Sequence, residues 1–298
     1  MIHEAVFTWN VDPVLFDGPI ALRYYGLIFA LTLVGGYYLW QWQMRSGGYP
    51  DKVAQPFMAY GTIAIIIGAR LGHCLFYDFA RCFNPLTNVL KIWQGGLSSH
   101  GATIGLIAAL WLFARLNQIH FVEVLDRFSF SATLGAIMVR VGNFINSEIV
   151  GRVTDGSWGV RFPRYDRQLA PDEVPPRHPS QLYEVGLGLL VMAVLYVLYR
   201  RHGEQRPRGL LGAAFMTTYF AGRFVVEFFK EYQTLTGGLT MGQWLSLPAF
   251  LVGLAWLVRV LTRGEPTSGA PRQEPAPSSR SRSRGRSRPR SRRSRRKR

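Results

Sequence analysis

The sequence has few of the residues that stabilise small secreted proteins or that bind metals. Its 298 residues contain two cysteines, Cys74 and Cys82. Two cysteines cannot build a disulfide framework, and their spacing matches neither a CxxC motif nor a zinc site. We therefore expect both to be small apolar packing residues. No other metal-ligand spacing is present, so we predict no metal and no cofactor.

Charged residues are absent from four long stretches. Residues 24–44, 53–69, 92–114 and 232–258 contain no Asp, Glu, Lys or Arg. A membrane-crossing helix needs about 18 or more apolar residues, and three of the four stretches reach that length. This pattern excludes an ordinary soluble globule and predicts an all-α integral membrane protein. The seven predicted spans are about 19–41, 53–76, 98–115, 121–142, 180–199, 208–229 and 240–261.

Basic residues are also missing where a signal peptide would need them. The first 20 residues hold no Lys or Arg, so we expect no cleavable signal peptide. With the N-terminus outside, 22 of the 35 Lys and Arg fall on the cytoplasmic side and 8 outside. The positive-inside rule therefore predicts an external N-terminus and a cytoplasmic C-terminus.

The chain divides into a membrane domain, residues 1–263, and a basic tail. Within the first, we expect an extracytoplasmic lobe at about 144–179, because glycine and proline are dense in residues 151–179. Residues 264–298 hold 13 Lys and Arg against 2 Asp and Glu, and we expect them to form a disordered cytoplasmic tail. Most of the net positive charge therefore lies in the tail and not in the membrane domain, and no specific nucleic acid partner is expected.

Charged residues inside apolar spans are the main functional signal. Arg70, Arg140 and Arg223 each follow or interrupt an apolar run, and Glu148 and Glu184 lie near span ends. Inserting each such group into the membrane costs about 2.5–3.5 kcal/mol, so its presence indicates a functional or structural role. Together they predict a polar cavity open to water or to lipid headgroups.

Two spacings place polar groups on shared helix faces. Arg223 and Glu227 are four residues apart and can pair, either as part of a site or as a salt bridge that only offsets its own burial. Arg140 and Asn143 are three residues apart, and Asn146 follows. This combination suits an anionic, hydroxylated headgroup, because guanidinium binds phosphate and amides bind hydroxyls. The alternative is an interfacial arginine with solvated neighbours.

The third span begins with a histidine among glycines, in the sequence GGLSSHGA at 95–102. An imidazole with a pKa near 6.5 can act as a general base at neutral pH. A structural hydrogen-bonding role for His100 remains the alternative.

The chain resembles a known family in six collinear blocks. The strongest block is RVGNFINSE at 140–148, followed by GR at 151–152. The others are LRYYG at 22–26, GARLG at 68–72, the glycine-flanked His100 stretch, HPSQLYE at 178–184 and RFVVEFF at 223–229. Together they resemble the bacterial prolipoprotein diacylglyceryl transferases over roughly residues 5–262. The chain departs from the usual pattern at Val139, Ser147, Ser99 and Ala102.

The resemblance implies a multi-pass enzyme of the bacterial cytoplasmic (inner) membrane whose active site faces outward. Such an enzyme transfers the diacylglyceryl group of phosphatidylglycerol to the lipobox cysteine of a prolipoprotein signal peptide, and it releases glycerol phosphate. This is the first step of lipoprotein maturation. The implied partners are phosphatidylglycerol, lipobox-containing prolipoproteins and the lipid bilayer.

The resemblance also implies roles for individual residues. The expected catalytic residues are His100, Arg140, Arg223 and Glu227. The expected substrate-binding residues are Arg140, Asn143, Asn146, Tyr25, Glu148, Gly151 and Tyr219. The two arginines would bind the phosphate, with Glu227 orienting Arg223. His100 would accept the thiol proton or would only orient the headgroup.

Two other function classes remain open at this stage. Buried arginines also line anion paths in transporters and channels, although no inverted repeat or paired broken helix is evident. A membrane scaffold whose Arg-rich tail binds anionic lipid or nucleic acid is the second alternative.

Overall fold

The computed structural model describes residues 6–18, 21–231 and 235–265, and most of these are helical. Seven long helices fall on the seven predicted spans. They are α1 (Tyr24–Ser46), α2 (Pro56–Phe76), α3 (Ser99–Leu116), α4 (Phe121–Ile145), α5 (Ser180–His202), α6 (Leu210–Val226) and α7 (Met241–Arg263). The predicted disordered tail lies outside the described residues, apart from its first two positions.

Five of the seven helices, α2 to α5 and α7, are long and apolar enough to cross a membrane. Helix α6 has 17 residues, just under the usual minimum of about 18. Helix α1 has 23 residues, but tyrosine, tryptophan and glutamine lower its apolar character. The described residues therefore form a mostly helical membrane protein.

Local sequence signals set where several helices begin. Ser98 precedes α3 and its hydroxyl accepts a hydrogen bond from the backbone N–H of Gly101. Thr240 and Gln243 form a reciprocal capping box at the start of α7. Pro56 occupies the first turn of α2, where its missing N–H has no partner to lose. These caps satisfy backbone groups that the first helical turn leaves free.

The connections distinguish the two ends of the bundle. Short connections, residues 47–55, 117–120 and 203–209, lie at one end, which we call the tight-turn end. Longer connections, residues 77–98, 146–179 and 227–240, lie at the other, which we call the lobe end. Successive long helices therefore alternate in direction, and every charged site candidate inside a span lies near the lobe end.

Small strands at the lobe end build a compact lobe. Strand β1 (Phe7–Thr8) pairs in parallel with β4 (Val160–Arg161), and β4 pairs antiparallel with β5 (Pro176–Arg177). A separate antiparallel pair joins β2 (Val14–Phe16) to β3 (Leu22–Arg23). The lobe has its own apolar core, formed by the buried side chains of Val150, Val160 and Phe162.

Helices α2 and α3 approach each other through glycine. A side chain on Gly68 or Gly101 would collide with the backbone of the facing helix. Small residues of this kind let helix backbones pack closely in membranes. This close packing of α2 against α3 fixes the position of the first turn of α3, where His100 lies.

The apolar core is rich in aromatic rings near the tight-turn end. Trp40 of α1 contacts the rings of Phe57 and Phe113, with ring centroids 5.0 Å apart in both pairs. Its indole N–H donates to the carbonyl oxygen of Ala54 at 3.1 Å. Tilted and edge-on contacts of this type add to the packing energy of α1, α2 and α3.

Charged side chains at the tight-turn end are fully buried. Arg127 donates to the carbonyl oxygen of Gln43 at 2.6 Å, to Glu123 at 2.9 Å and to Glu204 at 3.0 Å. Asp126 accepts hydrogen bonds from the backbone N–H groups of Gly209 and Gly212, at 2.7 and 2.8 Å. The cluster links α4 to α1, to the 203–209 connection and to the start of α6.

The expectation for the two cysteines is wrong. Cys74, in the last turn of α2, forms a disulfide with Cys82, in a short helix at Phe79–Phe83. The short helix brings the two Cα atoms to 5.4 Å, within the range that a disulfide needs. A single local cross-link requires no framework of further cysteines, and the sequence reasoning overlooked this possibility.

The buried cluster predicts a large stability effect. We expect Asp126→Ala to lower the free energy of unfolding by about 3–5 kcal/mol, because it strands buried donors in the low-dielectric interior. Thermal unfolding in detergent measures the change. Asp51→Ala is the control, because Asp51 pairs with Arg45 at the surface and surface pairs contribute little. Equal melting temperatures for the two variants would contradict the structural role of Asp126.

Candidate functional site

One buried carboxylate gathers three cations at the lobe end. Glu184 contacts Arg140 Nε at 2.7 Å, Arg223 Nη1 at 2.8 Å and Lys230 Nζ at 3.2 Å. Its side chain is only 3% exposed. A buried carboxylate stays ionised only with such partners. We call these four residues the Glu184 cluster.

The helices place the members of this cluster. Glu184 lies in the second turn of α5, which packs against α4 on one side and α6 on the other. Arg140 lies near the lobe-end terminus of α4, and Arg223 lies in the last turn of α6. A carboxylate on the central helix therefore reaches cations from both neighbours.

Arg140 also begins a chain of polar contacts. Its Nη1 donates to the Asn143 side-chain oxygen at 3.2 Å, as the three-residue spacing predicts. Asn143 in turn donates to Glu148 at 3.1 Å, and Asn146 donates to the same carboxylate at 3.2 Å. The Asn146 side-chain oxygen is buried without a hydrogen bond. It can accept one from a hydroxyl group of a ligand.

Glu227 does not pair with Arg223, and that expectation is wrong. Helix α6 ends at Val226, and Glu227 begins a tighter 3-10 turn. The turn directs its carboxylate toward Lys230 at 3.3 Å and the Thr240 hydroxyl at 3.1 Å. Arg223 instead contacts Glu184, and Glu227 reaches the cluster through Lys230.

Gly151 occupies a position where three backbone segments meet. Its N–H donates to the carbonyl oxygen of His178 at 2.9 Å, and it bridges to Lys230 in antiparallel fashion. A side chain at this position would collide with the carbonyl oxygens of His178 and Phe229. Gly151 therefore holds the lobe against the segment that carries Lys230.

The two candidate tyrosines lie in different surroundings. The Tyr25 ring packs over Gly142, where an added side chain would lie 3.0 Å from the ring. It is thus next to Arg140 and 38% exposed. Tyr219 lies one turn before Arg223, but its ring stacks on Phe215 within an apolar cluster. Its hydroxyl makes no hydrogen bond with any other described residue.

In the described part of the chain, Arg70 and His100 form no hydrogen bond or ion pair with the Glu184 cluster. Arg70 donates to four backbone carbonyl oxygens, those of Asn88, Val89, Gly95 and Gly96, at 2.6–3.1 Å. It fixes the 77–98 connection and borders a cavity of about 200 Å³. His100 is exposed in the first turn of α3. Among the described residues, none forms a hydrogen bond or ion pair with it.

Several donors of the cluster remain available. Within the described residues, Arg140 Nη2 and Arg223 Nε and Nη2 have no hydrogen-bond partner. The two side chains are 14% and 24% exposed, so these groups are accessible. Converging guanidinium N–H groups in a mostly buried setting bind phosphate strongly.

Sequence reasoning noted Glu184 but gave it no role, and it missed Lys230 as a site residue. Glu184 falls in the HPSQLYE block, which was the available signal. Lys230 was counted only as a basic residue outside the membrane. Its side chain is 9% exposed, and burial lowers the pKa of its ammonium group, against the opposing effect of Glu184.

Comparisons with known proteins agree on one family. Residues 13–259 match the family described as prolipoprotein diacylglyceryl transferase. A phosphatidylglycerol–prolipoprotein diacylglyceryl transferase of Tolumonas auensis is 40% identical, over 84% of this chain and 96% of its own length. The protein of the same name in Bacteroides fragilis is 37% identical, over 84% of this chain and 93% of its own length. The one in Chloroherpeton thalassium is 38% identical over 83% and 91%.

The lobe next to the cluster predicts a pH-dependent stability. The ring centroids of His178 and Phe229 are 5.3 Å apart, and His178 Nδ1 is 3.0 Å from the Tyr183 hydroxyl oxygen. Burial lowers the pKa of His178, and Arg152 lowers it further. The unfolded chain therefore binds this proton more readily. The stability that neutral His178 contributes is present above about pH 6.5 and is lost as the pH falls.

We expect the wild type to lose more thermal stability between about pH 7.5 and pH 5.5 than His178→Gln does. Melting temperatures at the two pH values measure the difference. His202→Gln changes an exposed histidine at the tight-turn end and should behave as the wild type. An identical pH dependence in wild type and His178→Gln would exclude the effect.

Proposed function

The chain belongs to the prolipoprotein diacylglyceryl transferase family, and we propose that the Glu184 cluster is where it binds the phosphatidylglycerol headgroup. The enzyme carries out the first step of lipoprotein maturation. One observation carries the site assignment. Glu184 holds the guanidinium groups of Arg140 and Arg223 together, and both keep N–H groups that can bind a phosphate.

The reaction explains why this site needs fixed positive charge. The sulfur of a lipobox cysteine attacks the glyceryl carbon that is esterified to phosphate. A carbon–sulfur bond forms, the carbon–oxygen bond breaks, and glycerol phosphate leaves with the bonding electrons. Arg140 and Arg223 stabilise the charge that develops on the leaving phosphate. Asn143 and Asn146 hold the glycerol hydroxyls.

The acceptor thiol must lose its proton, because the thiolate is the nucleophile and a free thiol has a pKa near 8.5. His100 is the proposed base. It lies on the same end of the bundle as the cluster but makes no contact with it. The lipobox peptide would bind between them, with its cysteine facing His100. In this proposal Tyr25 and Tyr219 form part of the cavity wall.

We further propose that all seven helices span the bacterial inner membrane, with the lobe end outside. The count of Lys and Arg supports this orientation. The disulfide between Cys74 and Cys82 lies at the lobe end and supports it independently, because disulfides persist mainly outside the reducing cytoplasm. In this arrangement the active site faces outward and residues 264–298 are cytoplasmic.

Mutations in the cluster test the proposed site. Purified enzyme is supplied with phosphatidylglycerol and a lipobox peptide, and mass spectrometry measures the diacylglyceryl adduct. We expect Arg140→Ala and Arg223→Ala each to lower turnover by about 100-fold or more, as for loss of a preorganised charge-stabilising donor. His100→Gln should also impair turnover.

Arg200→Ala is the matched control, since Arg200 is an exposed arginine at the opposite end. A peptide with serine in place of cysteine controls for the acceptor. Normal turnover in a folded Arg140→Ala enzyme would refute the headgroup assignment. Normal turnover in His100→Gln would refute the base assignment alone.

The tail is proposed to be dispensable for chemistry. All proposed site residues lie before residue 264, so deletion of residues 266–298 should leave turnover in detergent within about twofold of the wild type. The same adduct assay measures it. A severalfold loss, with normal thermal stability, would make the tail a functional element.

A further inference from the structure

A second cavity lies at the end of the bundle opposite the Glu184 cluster. Its volume is about 310 Å³. It borders the first turn of α4, so 18 residues of helix, or about 27 Å, separate it from Arg140. Its polar and aromatic lining comes from His120, Arg208, Trp256, Arg259, Arg263 and Glu265.

One face of α7 supplies most of this lining. Trp256, Arg259, Val260 and Arg263 follow one another at spacings of three, one and three residues, which places them along a single stripe. Arg208 faces this stripe from the connection before α6. Its backbone N–H donates to the carbonyl oxygen of Glu265 at 2.7 Å, which ties the connection to the end of α7.

The aromatic wall of the cavity is fixed by glycine. Gly209 and Gly212, at the start of α6, would each place a side-chain carbon 2.7 Å from the Trp256 ring. Their bare backbone lets the indole pack directly on α6. Gly209 also has a φ of +95°, which a larger residue would adopt only with strain. The cavity is thus a formed feature of the α6–α7 contact.

The net positive charge of the cavity lining favours binding of an anion. Three arginines line it, and Glu265 is the single acidic residue of the lining. The contact between Arg208 and Glu265 is long, at 3.7 Å, and the carboxylate is 82% exposed. The N-terminus of α4 adds positive potential. The Arg-rich segment after residue 265 carries the same sign of charge and is therefore a poor occupant.

The cavity also opens toward apolar surface. One turn before Trp256, on the same stripe of α7, Val252 is 60% exposed. Tryptophan beside arginine at the end of an apolar helix is typical of the membrane interface. A ligand with a phosphate and acyl chains matches both parts, since its phosphate would meet the arginines and its chains would follow α7.

We propose that this cavity binds the headgroup of an anionic phospholipid at a site separate from the active site. Basic pockets between membrane helices bind such headgroups. The lipid joins the start of α4, the connection before α6 and the end of α7. Its place in the cytoplasmic leaflet rests on the proposed orientation, whereas the binding itself does not.

Binding of dioleoyl phosphatidic acid to the full chain tests the proposal. Native mass spectrometry gives the apparent Kd for each bound lipid. We expect the double variant Arg259→Gln/Arg263→Gln to bind one lipid about 30-fold more weakly, the equivalent of about 2 kcal/mol for two arginines. The matched control, Arg200→Gln/Arg201→Gln, removes two exposed arginines from the same end and should bind as the wild type.

A second set of titrations uses the Arg140→Gln background, so that lipid bound at the lobe end is counted separately. The cavity lipid should persist there. Unchanged binding by Arg259→Gln/Arg263→Gln would overturn the proposal. An equal loss of lipid affinity in the control variant would also overturn it, because binding would then come from diffuse electrostatic attraction to the surface. Thermal unfolding in zwitterionic detergent checks that the variants fold. Transferase turnover of Arg140→Gln tests the active site independently of either result.

Discussion

A carboxylate that cannot be left alone in an apolar interior organises the lobe end of this protein. Glu184 is buried, so its charge must be matched, and its partners come from the helix on either side and from the segment after α6. Moving any of these helices would strand a charge in a low-dielectric setting. The same contacts hold Arg140 and Arg223 on one carboxylate, as the proposed phosphate-binding site requires. Glu184 thus balances the buried charges and also positions the two arginines of the proposed site.

The tight-turn end uses the same principle for a structural purpose. Arg127 and Asp126 on α4 are fully buried, and they bind backbone and side-chain groups of α1, of the 203–209 connection and of α6. Helix α4 is therefore fixed by ionic contacts at both ends, with apolar and aromatic packing between. The charges of the proposed site at the lobe end are thus carried by a helix whose other end is also held by buried ionic contacts. The basic cavity borders this frame on the side of α7.

Much of the fold follows from local patterns. Apolar stretches located all seven long helices, and the three-residue spacing predicted the contact between Arg140 and Asn143. The pairing of Arg223 with Glu227 failed because the spacing rule assumes a continuous α-helix, and α6 ends between the two. Cys74 and Cys82 were misread because the short turn that brings them together has no strong sequence signal. Lys230 was missed because its burial depends on the lobe, through the backbone contacts of Gly151.

The sequence by itself determined the membrane class, the helices, the family and most residues of the proposed site, because these depend on hydropathy, spacing and collinear motifs. Only the tertiary structure decided which charges pair. Glu184 rather than Glu227 contacts Arg223, Lys230 joins the proposed site, and Arg70 donates to four backbone carbonyl oxygens. The structure also brought Arg208, which precedes Arg259 by 51 residues in the sequence, to the cavity that Arg259 and Arg263 line. Pairing energies depend on three-dimensional distance and on exclusion of water, and neither quantity is encoded by the spacing of residues along the chain.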